Sequence, residues 1–340
     1  MVRHGGDIYG NKNITLDLSV NINPLGHPLC IDEALARAGK RIMNYPEYYQ
    51  SSLRDLIGRA EHIDPVNIVC GNGASDIISC LGHVLRGKKV LIPVPSFYGY
   101  ERAFGHGEIL YHYLRDENDY RADESLIRRI EEIKPEVVVI ANPNNPTGLS
   151  PDEGLIRDLC EAVREQRSTL IVDESFIEVC EGAASFTKYV NNGLRMVIIR
   201  SVTKAYAIPG IRLGYAICSH EELAKDIRDA CAEWNISVYA EEAGKAIFSD
   251  GGREDYLRRS AEKIRELRDK TERAFYEKGI RYIPSRTGFI LFQSRLGLYD
   301  EMLDNGILIR DCSDMRGLDK GWFRVAVSAG SSSVVFLRLL

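Results

Sequence analysis

Short apolar runs alternate with longer amphipathic segments through the first two thirds of the chain. Each run is apolar nearly throughout, which is typical of strands covered on both faces. We predict strands at 88–94, 136–141, 168–173, 195–200 and 212–218. The segments between them predict helices at 74–86, 151–167 (with Ser150 as its N-cap) and 221–233. This alternation favours an α/β fold with a mostly parallel sheet.

The pattern changes from about residue 252. A long, charged, amphipathic segment that ends at Gly279 predicts one helix. Further strands are predicted at 288–294, 306–312 and 322–328. We interpret this part as a smaller α+β domain, made of residues 1–30 and 251–340, beside a large α/β domain at 31–250.

The composition is that of an ordinary globular protein, and the net charge limits the kinds of binding partner that we expect. The 340 residues carry a formal net charge of −5, so neither a nucleic-acid nor a membrane partner is expected. The N-terminus "MVRHGGDIYG" has no apolar signal region, and we expect a cytoplasmic location. The eight cysteines are scattered without a C-x-x-C pair, so no metal site is expected.

Four polar segments follow apolar runs, at the edge where open α/β sheets bind ligands. They are "GNGASD" (71–76), "NPNNPTG" (142–148), "DESF" (173–176) and "SVTKAYAIPGIRLGY" (201–215). Two glycines before a helix can form an anion nest of backbone N–H groups. Asp173 needs a partner if it is buried, and we expect a cationic one. Each segment alone could also be a tight turn, a loop, a helix cap or a surface group.

Lys204 and Arg212 lie close together in the last of these segments. Two charged groups in a dry site would repel each other, so the lysine is expected to have a depressed pKa and to become a usable amine. A bound phosphate would neutralise the arginine. Two exposed basic residues are the simpler alternative, but that reading does not explain why the other three segments also end strands.

The four segments together match what pyridoxal phosphate needs. Its aldehyde requires a lysine, its pyridine nitrogen a carboxylate, and its phosphate a nest and an arginine. In this order, and with "FRVAV" at 323–327, the segments resemble the fold-type I aminotransferase family over nearly the whole chain. The resemblance implies a large domain with a mostly parallel sheet, a small α+β domain and pyridoxal 5'-phosphate as cofactor.

The resemblance also implies roles for single residues. Lys204 would hold the cofactor covalently and move protons, and Asp173 would pair with the pyridine nitrogen. Asn145 would bind the phenolic oxygen, and Phe97, next to Tyr98, would stack on the ring. The residues implied around the cofactor phosphate are Gly73, Ala74, Ser75, Ser201 and Arg212.

Further implied roles concern the substrate and a second subunit. Arg324 would grip the substrate's α-carboxylate as a bidentate fork. Tyr45 would reach the cofactor phosphate of a neighbouring subunit, which implies a homodimer. Phe176 stands where many members have a tyrosine, so the phenolic oxygen is expected to lose one hydrogen-bond donor.

Two branches of the family share these motifs: the histidinol-phosphate aminotransferases and the threonine-phosphate decarboxylases. The segments "HGGD", "LSVNINPLGHP" and "ILIRDCSDMRGLD" are more similar to the decarboxylases. That branch implies decarboxylation of L-threonine O-3-phosphate in cobalamin biosynthesis; transamination of histidinol phosphate and decarboxylation of serine phosphate are the alternatives. These small substrates carry a phosphate, so a second anion pocket is expected. Its predicted residues are Arg310, His4 and Asn23, with Asn145 also near the substrate.

Overall fold

The predicted alternation of strands and helices is present in the computed structural model, which describes residues 5–10, 13–328 and 331–340. The strands are β1 Leu16–Asp17, β2 Ile68–Gly71, β3 Lys89–Val94, β4 Glu108–Tyr113, β5 Val137–Ala141, β6 Thr169–Asp173, β7 Met196–Ser201, β8 Gly214–Cys218, β9 Phe289–Gln293, β10 Ile307–Leu308, β11 Arg310–Asp311 and β12 Trp322–Ala326. The helices are α1 Cys30–Gly39, α2 Ser51–Glu61, α3 Ala74–Val84, α4 Gly99–Phe104, α5 Glu124–Ile133, α6 Glu153–Glu165, α7 Val202–Ala205, α8 Glu221–Ala230, α9 Val238–Ser249, α10 Arg253–Glu277, α11 Leu298–Asp304 and α12 Ser331–Leu339.

A mixed, mostly parallel sheet of seven strands forms the centre of the molecule. Its order is β2-β8-β7-β6-β5-β3-β4, and β8 is antiparallel to both of its neighbours while the other pairs are parallel. Strands β6 and β7 are buried at every position, as their continuous apolar sequence predicts. The α/β fold class is therefore confirmed, and the carboxyl ends of β2, β3, β5, β6 and β7 meet at one edge.

Two predicted boundaries are wrong. The N-cap of α6 is Asp152, whose side chain accepts a hydrogen bond from the backbone N–H of Leu155 at 2.8 Å. Ser150, which we expected to cap this helix, lies before Pro151 and is too far from the first free N–H groups. The strand predicted from 212 begins at Gly214 because Arg212 has a left-handed backbone with φ +60°.

The C-terminal part contains smaller sheets. Strands β11, β12 and β9 form an antiparallel sheet in that order, and β1 pairs in parallel with β10. The strand predicted at 306–312 is therefore two strands, β10 and β11, which pair with different partners on either side of Ile309. The pairing of β1 joins the N-terminal segment to this part of the chain, and the domain division at residues 30 and 250 stays a prediction.

The long helix predicted from about 252 is confirmed as α10. It ends just before Gly279, whose φ of +66° is a conformation that glycine adopts readily. Among the described helices, α10 included, none is both long and apolar enough to cross a membrane.

Candidate active site

A cavity of about 460 Å³ lies at the carboxyl edge of the central sheet, where β11 and β12 approach it. The structure brings ten predicted residues to its wall: Ala74, Ser75, Phe97, Asn145, Asp173, Ser201, Lys204, Arg212, Arg310 and Arg324. They come from five strand ends and from loops far apart in sequence. The predicted segments therefore converge on one site.

Asp173 lies at the end of β6, and neutral groups hold its carboxylate. The backbone N–H and the hydroxyl of Ser175 donate to Oδ1 at 3.0 and 2.5 Å, and the Tyr100 hydroxyl donates to Oδ2 at 2.6 Å. These donors leave the cationic partner that we expected to come from outside the protein, and its pairing with Asp173 stays a prediction. Burial and the charge of Asp173 raise the pKa of Tyr100 well above its ordinary value, which keeps its phenol protonated as a donor. The sequence analysis did not identify Tyr100, although Tyr100 lies only three residues after Phe97, in the first turn of α4.

Lys204 lies in the short helix α7, directly after β7. Its pKa is lowered from 10.5 to about 8, first by burial and then by the positive charges of Arg324 and Arg212, against the opposing charge of Asp173. The low pKa agrees with the expectation from the sequence that two nearby cations would favour the neutral amine. A neutral amine is the form that reacts with an aldehyde.

The N-terminus of α3 and the Arg212 guanidinium form an anion cradle. Gly73 precedes α3 with φ +81°, a backbone conformation that favours glycine, and a Cβ atom there would lie 2.5 Å from Arg212 Nη2 and displace the guanidinium. The first N–H groups of α3, at Ala74 and Ser75, have no partner within the helix. Ser201 Oγ lies 2.9 Å from the hydroxyl of Thr203, which also lines the cavity. This set of donors fits a phosphate.

Arg324 and Arg310 form the opposite side of the cavity. They are register partners in the antiparallel pair of β12 and β11, and both are buried. Arg324 donates to Asn145 Oδ1 and, at 2.7 Å, to the carbonyl of Ser19. Burial lowers the pKa of Arg324 to about 10, and the charge of Arg310 adds to this effect. Arg310 donates to the carboxylate of Asp314 and to the carbonyl of Asp311.

Two buried polar atoms at this wall lack a hydrogen-bond partner among the residues that the structure describes. They are Arg324 Nε and the side-chain oxygen of Asn21. Both residues line the cavity, and Asn21 is only 7% exposed. Unpaired buried polar groups are costly, so both atoms are expected to meet a polar ligand.

Asn23 does not reach the cavity, which corrects its predicted role. Its amide donates to the carbonyl of Ala205 at 2.6 Å and to the hydroxyls of Tyr256 and Ser260. It therefore supports the chain around Lys204 from behind. Asn21, two residues earlier in the same "NIN" segment, lines the cavity instead. Two asparagines in one short motif gave no signal that could distinguish them.

Of the other residues singled out in the sequence, some line the cavity and some do not. Phe97 and its neighbour Tyr98 both line the cavity, and Phe176 lines it while packing edge-on against Phe289 at 5.0 Å. Tyr45 lies away from this cavity: it is 74% exposed and stacks on Trp234. His4 lies outside the described residues.

The residues present fit pyridoxal phosphate. An amine of low pKa, a buried carboxylate and an anion cradle lie around one cavity, and the unpaired Arg324 Nε offers a donor to a carboxylate. When bound, this cofactor supplies an electron sink for the negative charge left at a substrate's Cα.

Comparison with known proteins also relates this chain to pyridoxal phosphate enzymes. A protein of Caldanaerobacter subterraneus with the provisional name threonine-phosphate decarboxylase is 33% identical to this chain. The alignment, with its gaps, is 356 positions long and covers 99% of this chain and 92% of the relative. The threonine-phosphate decarboxylase of Salmonella typhimurium is 27% identical over an alignment of 352 positions, which covers 99% of this chain and 95% of the relative. The crystal structure of the histidinol-phosphate aminotransferase from Clostridium acetobutylicum has a TM-score of 0.86 at 32% identity and covers 95% and 97%. The family model of aminotransferase class I and II matches residues 13–339, so this chain belongs to that family of pyridoxal phosphate enzymes.

Proposed function

We propose that this enzyme decarboxylates L-threonine O-3-phosphate to (R)-1-amino-2-propanol O-2-phosphate, a step of cobalamin biosynthesis. The observation that carries the proposal is the pair of buried arginines, Arg310 and Arg324, at partnered positions on one cavity wall. Threonine phosphate has two anionic groups on adjacent carbons. Two adjacent guanidinium groups can therefore bind its carboxylate and its phosphate at the same time. The relatives named as threonine-phosphate decarboxylases support the same assignment.

The two arginines would determine which bond breaks. A bond at Cα breaks when it stands perpendicular to the cofactor ring, so the reaction depends on how the substrate is oriented. Arg324 would hold the carboxylate, and Arg310 would hold the phosphate from the neighbouring strand. Fixing both anions would determine which substituent of Cα takes the perpendicular position, and we propose that it is the carboxylate. Lys204, with its pKa of about 8, can then deliver a proton to Cα after carbon dioxide leaves.

The cofactor would be held by residues on the other side of the cavity. Asp173, fixed by Ser175 and Tyr100, would accept a hydrogen bond from the pyridine nitrogen. Asn145 would face the phenolic oxygen, and the α3 N-terminus with Arg212 would bind the phosphate. These groups are already in place, so little reorganisation is needed on binding.

A second candidate is transamination of histidinol phosphate, which the similarity to the Clostridium acetobutylicum structure favours. Histidinol phosphate has a single anionic group, so it offers no carboxylate to Arg324; a dicarboxylate acceptor would supply one. Serine phosphate is a third candidate substrate. It differs from threonine phosphate by one methyl group, which is worth about 1–3 kcal/mol in a binding pocket.

The test is to incubate the cofactor-loaded enzyme with L-threonine O-3-phosphate and to measure carbon dioxide and amine product together. We expect one carbon dioxide per amine formed, with the cofactor remaining in its aldehyde form. Parallel reactions contain serine phosphate, or histidinol phosphate with 2-oxoglutarate. Glutamate formation from histidinol phosphate without carbon dioxide release would contradict the proposal and establish the aminotransferase.

We also propose that the enzyme is a homodimer. Tyr45, Tyr49 and Met43 are 74%, 61% and 96% exposed, and Tyr45 stacks on Trp234 at 4.5 Å. Such a cluster of exposed apolar side chains is typical of a contact surface. A second copy of the chain would cover it, and Tyr45 would reach that copy's cofactor phosphate, as the family resemblance implies. Sedimentation velocity should give the mass of a dimer, and a monomer at micromolar concentration would contradict this.

A further inference from the structure

We propose that Glu174, the residue after Asp173, is a positioning residue that fixes three cofactor-binding segments to one another through a single buried carboxylate. The segments are the end of β6 with Asp173, the asparagine loop with Asn145, and the end of β7 that leads to Lys204. This inference rests on the cofactor site of the family and is independent of which bond at Cα breaks.

Four donors surround the Glu174 carboxylate, which is fully buried. Oε1 accepts from the backbone N–H of Phe186 at 2.8 Å and from Asn142 Nδ2 at 3.2 Å. Oε2 accepts from the Ser185 hydroxyl at 2.8 Å and forms an ion pair with Arg200 Nη2 at 2.9 Å. Both oxygens are therefore satisfied, and none of these donors lines the active-site cavity.

Asn142 connects the carboxylate to the asparagine loop. It is the first residue of "NPNNPTG", three positions before Asn145, which contacts Arg324. Its backbone N–H donates to the Asp173 carbonyl at 2.8 Å, so the loop is tied to the end of β6 by backbone and side chain together. A shift of Glu174 would move the group that faces the phenolic oxygen of the cofactor.

Arg200 connects the carboxylate to the lysine. It directly precedes Ser201 on β7 and lies four residues before Lys204. Successive residues of a strand point to opposite faces, which is why Ser201 reaches the cavity while Arg200 turns to Glu174 behind it. The same alternation separates Asp173 from Glu174. The ion pair behind the wall therefore sets the spacing of the catalytic groups in front of it.

The charge of Glu174 is necessary in this arrangement. Burial lowers the pKa of Arg200, but the negative charge of Glu174, together with smaller contributions from Tyr215, Glu61 and Glu178, holds the pKa above its ordinary value. A neutral amide at position 174 would leave Arg200 without its closest counter-charge. It would also place an NH₂ group either against the two N–H donors at Oε1 or against the Arg200 guanidinium at Oε2. Glu174→Gln keeps the size of the side chain and removes only these functions.

The experiment measures cofactor binding rather than turnover. Cofactor-free Glu174→Gln protein is titrated with pyridoxal phosphate, and the bound cofactor is followed by its absorbance together with the pH at which that absorbance changes. We expect the dissociation constant to rise about tenfold, as when an outer partner of a metal ligand is removed. The pH midpoint of the absorbance change should also move, because Lys204 and Asp173 change their spacing.

Glu61→Gln is the matched control. Glu61 belongs to the same buried cluster, 3.8 Å from Arg200 Nη2, but it accepts from the Tyr215 hydroxyl and touches neither the asparagine loop nor β6. Both substitutions should lower the melting temperature of the cofactor-free protein. Only Glu174→Gln should weaken cofactor binding and move the pH midpoint.

The inference is wrong if Glu174→Gln binds the cofactor within twofold of the parent protein, with an unchanged midpoint, while melting like Glu61→Gln. That result would make Glu174 a residue of stability only. If Glu174→Gln does not fold, Ser185→Ala removes one of the four donors and should raise the dissociation constant by a smaller factor. An unchanged constant there would equally overturn the inference. No substrate is present, so the outcome does not depend on whether the enzyme is a decarboxylase.

Discussion

The two halves of the cavity are built in different ways. The cofactor half consists of the ends of strands in one sheet, and each of its groups lies within a few residues of an apolar run in the sequence. The substrate half joins segments from opposite ends of the chain: Arg324 donates to the carbonyl of Ser19, which is 305 residues away in sequence. The cofactor half is fixed by local order along the chain, whereas the substrate half depends on tertiary contacts.

This difference has a chemical counterpart. The cofactor half holds Asp173 with neutral donors and prepares one neutral amine, which suits chemistry that every substrate shares. The substrate half holds two buried cations, Arg310 and Arg324, on partnered positions. Changes in the first half should therefore affect all substrates alike, and changes in the second should distinguish between substrates.

The largest effect is expected from Lys204→Ala, which breaks the cofactor half. Turnover should fall by about 100- to 10,000-fold, the usual contribution of a positioned acid–base group, and the cofactor should no longer be attached covalently. The loss should be the same for threonine phosphate and serine phosphate. Steady-state kinetics and removal of the cofactor by gel filtration under denaturing conditions check both points.

Lys225→Ala is the control for that substitution. Lys225 is an exposed lysine paired with Asp229 at 2.7 Å, and it does not line the cavity. It should leave turnover and cofactor attachment unchanged. Activity of Lys204→Ala above one tenth of the parent value would remove Lys204 from its assigned role.

Most of the cofactor half could be predicted from the sequence because its signals are local. "GNGASD", "DESF" and "SVTK" each place a functional group directly after an apolar strand, and parallel strands bring those groups to one edge. Tyr100 was missed for the opposite reason. Its contact with Asp173 crosses from α4 to β6, and no spacing rule along the chain links the two.

The substrate half was predicted less well. Arg310 and Arg324 were found, but the choice of Asn23 over Asn21 was wrong. Both asparagines precede the same proline, and only the path of the chain after β1 decides which one faces the cavity. Residues two positions apart lie on the same face of an extended chain, so alternation cannot separate these two asparagines, and the segment is also irregular.

An intermediate effect is expected from Arg310→Gln, which breaks the substrate half alone. Loss of a charged hydrogen-bond donor costs about 1.5–3 kcal/mol, so kcat/KM for threonine phosphate should fall by about 10- to 150-fold. Binding of unphosphorylated L-threonine, measured by the absorbance of the bound cofactor, should change little. Arg316→Gln, which removes an exposed arginine paired with Glu101, should change neither. An equal loss for both ligands would show that Arg310 does not bind the phosphate.

The smallest effect is expected in the pH dependence of cofactor capture by Lys204, where the two halves meet. Burial lowers its pKa most, and the charges of Arg324 and Arg212 from the two sides lower it further. In cofactor-free protein the rate of covalent capture of pyridoxal phosphate should rise with pH, with a midpoint near 8 rather than 10.5. Arg212→Gln, from the cofactor half, and Arg324→Gln, from the substrate half, should each move the midpoint upward. Stopped-flow absorbance between pH 6.5 and 10 checks this, and a midpoint above about 10 in the parent protein would contradict it.

The same pKa shift has a defined consequence for stability. Between pH 8 and 10.5 the unfolded chain binds more protons at Lys204 than the folded chain does, so the free energy of unfolding should rise with pH across this window. The full shift corresponds to roughly 3 kcal/mol, which is absent below pH 8 because the folded protein must then bury an ammonium group. Lys204→Met should remove that pH dependence and raise the melting temperature at pH 7. If the melting temperatures of the cofactor-free parent and Lys204→Met instead run parallel from pH 7 to 10, the pKa of Lys204 is not lowered in the folded protein, and neither burial nor the two arginines acts on it as described.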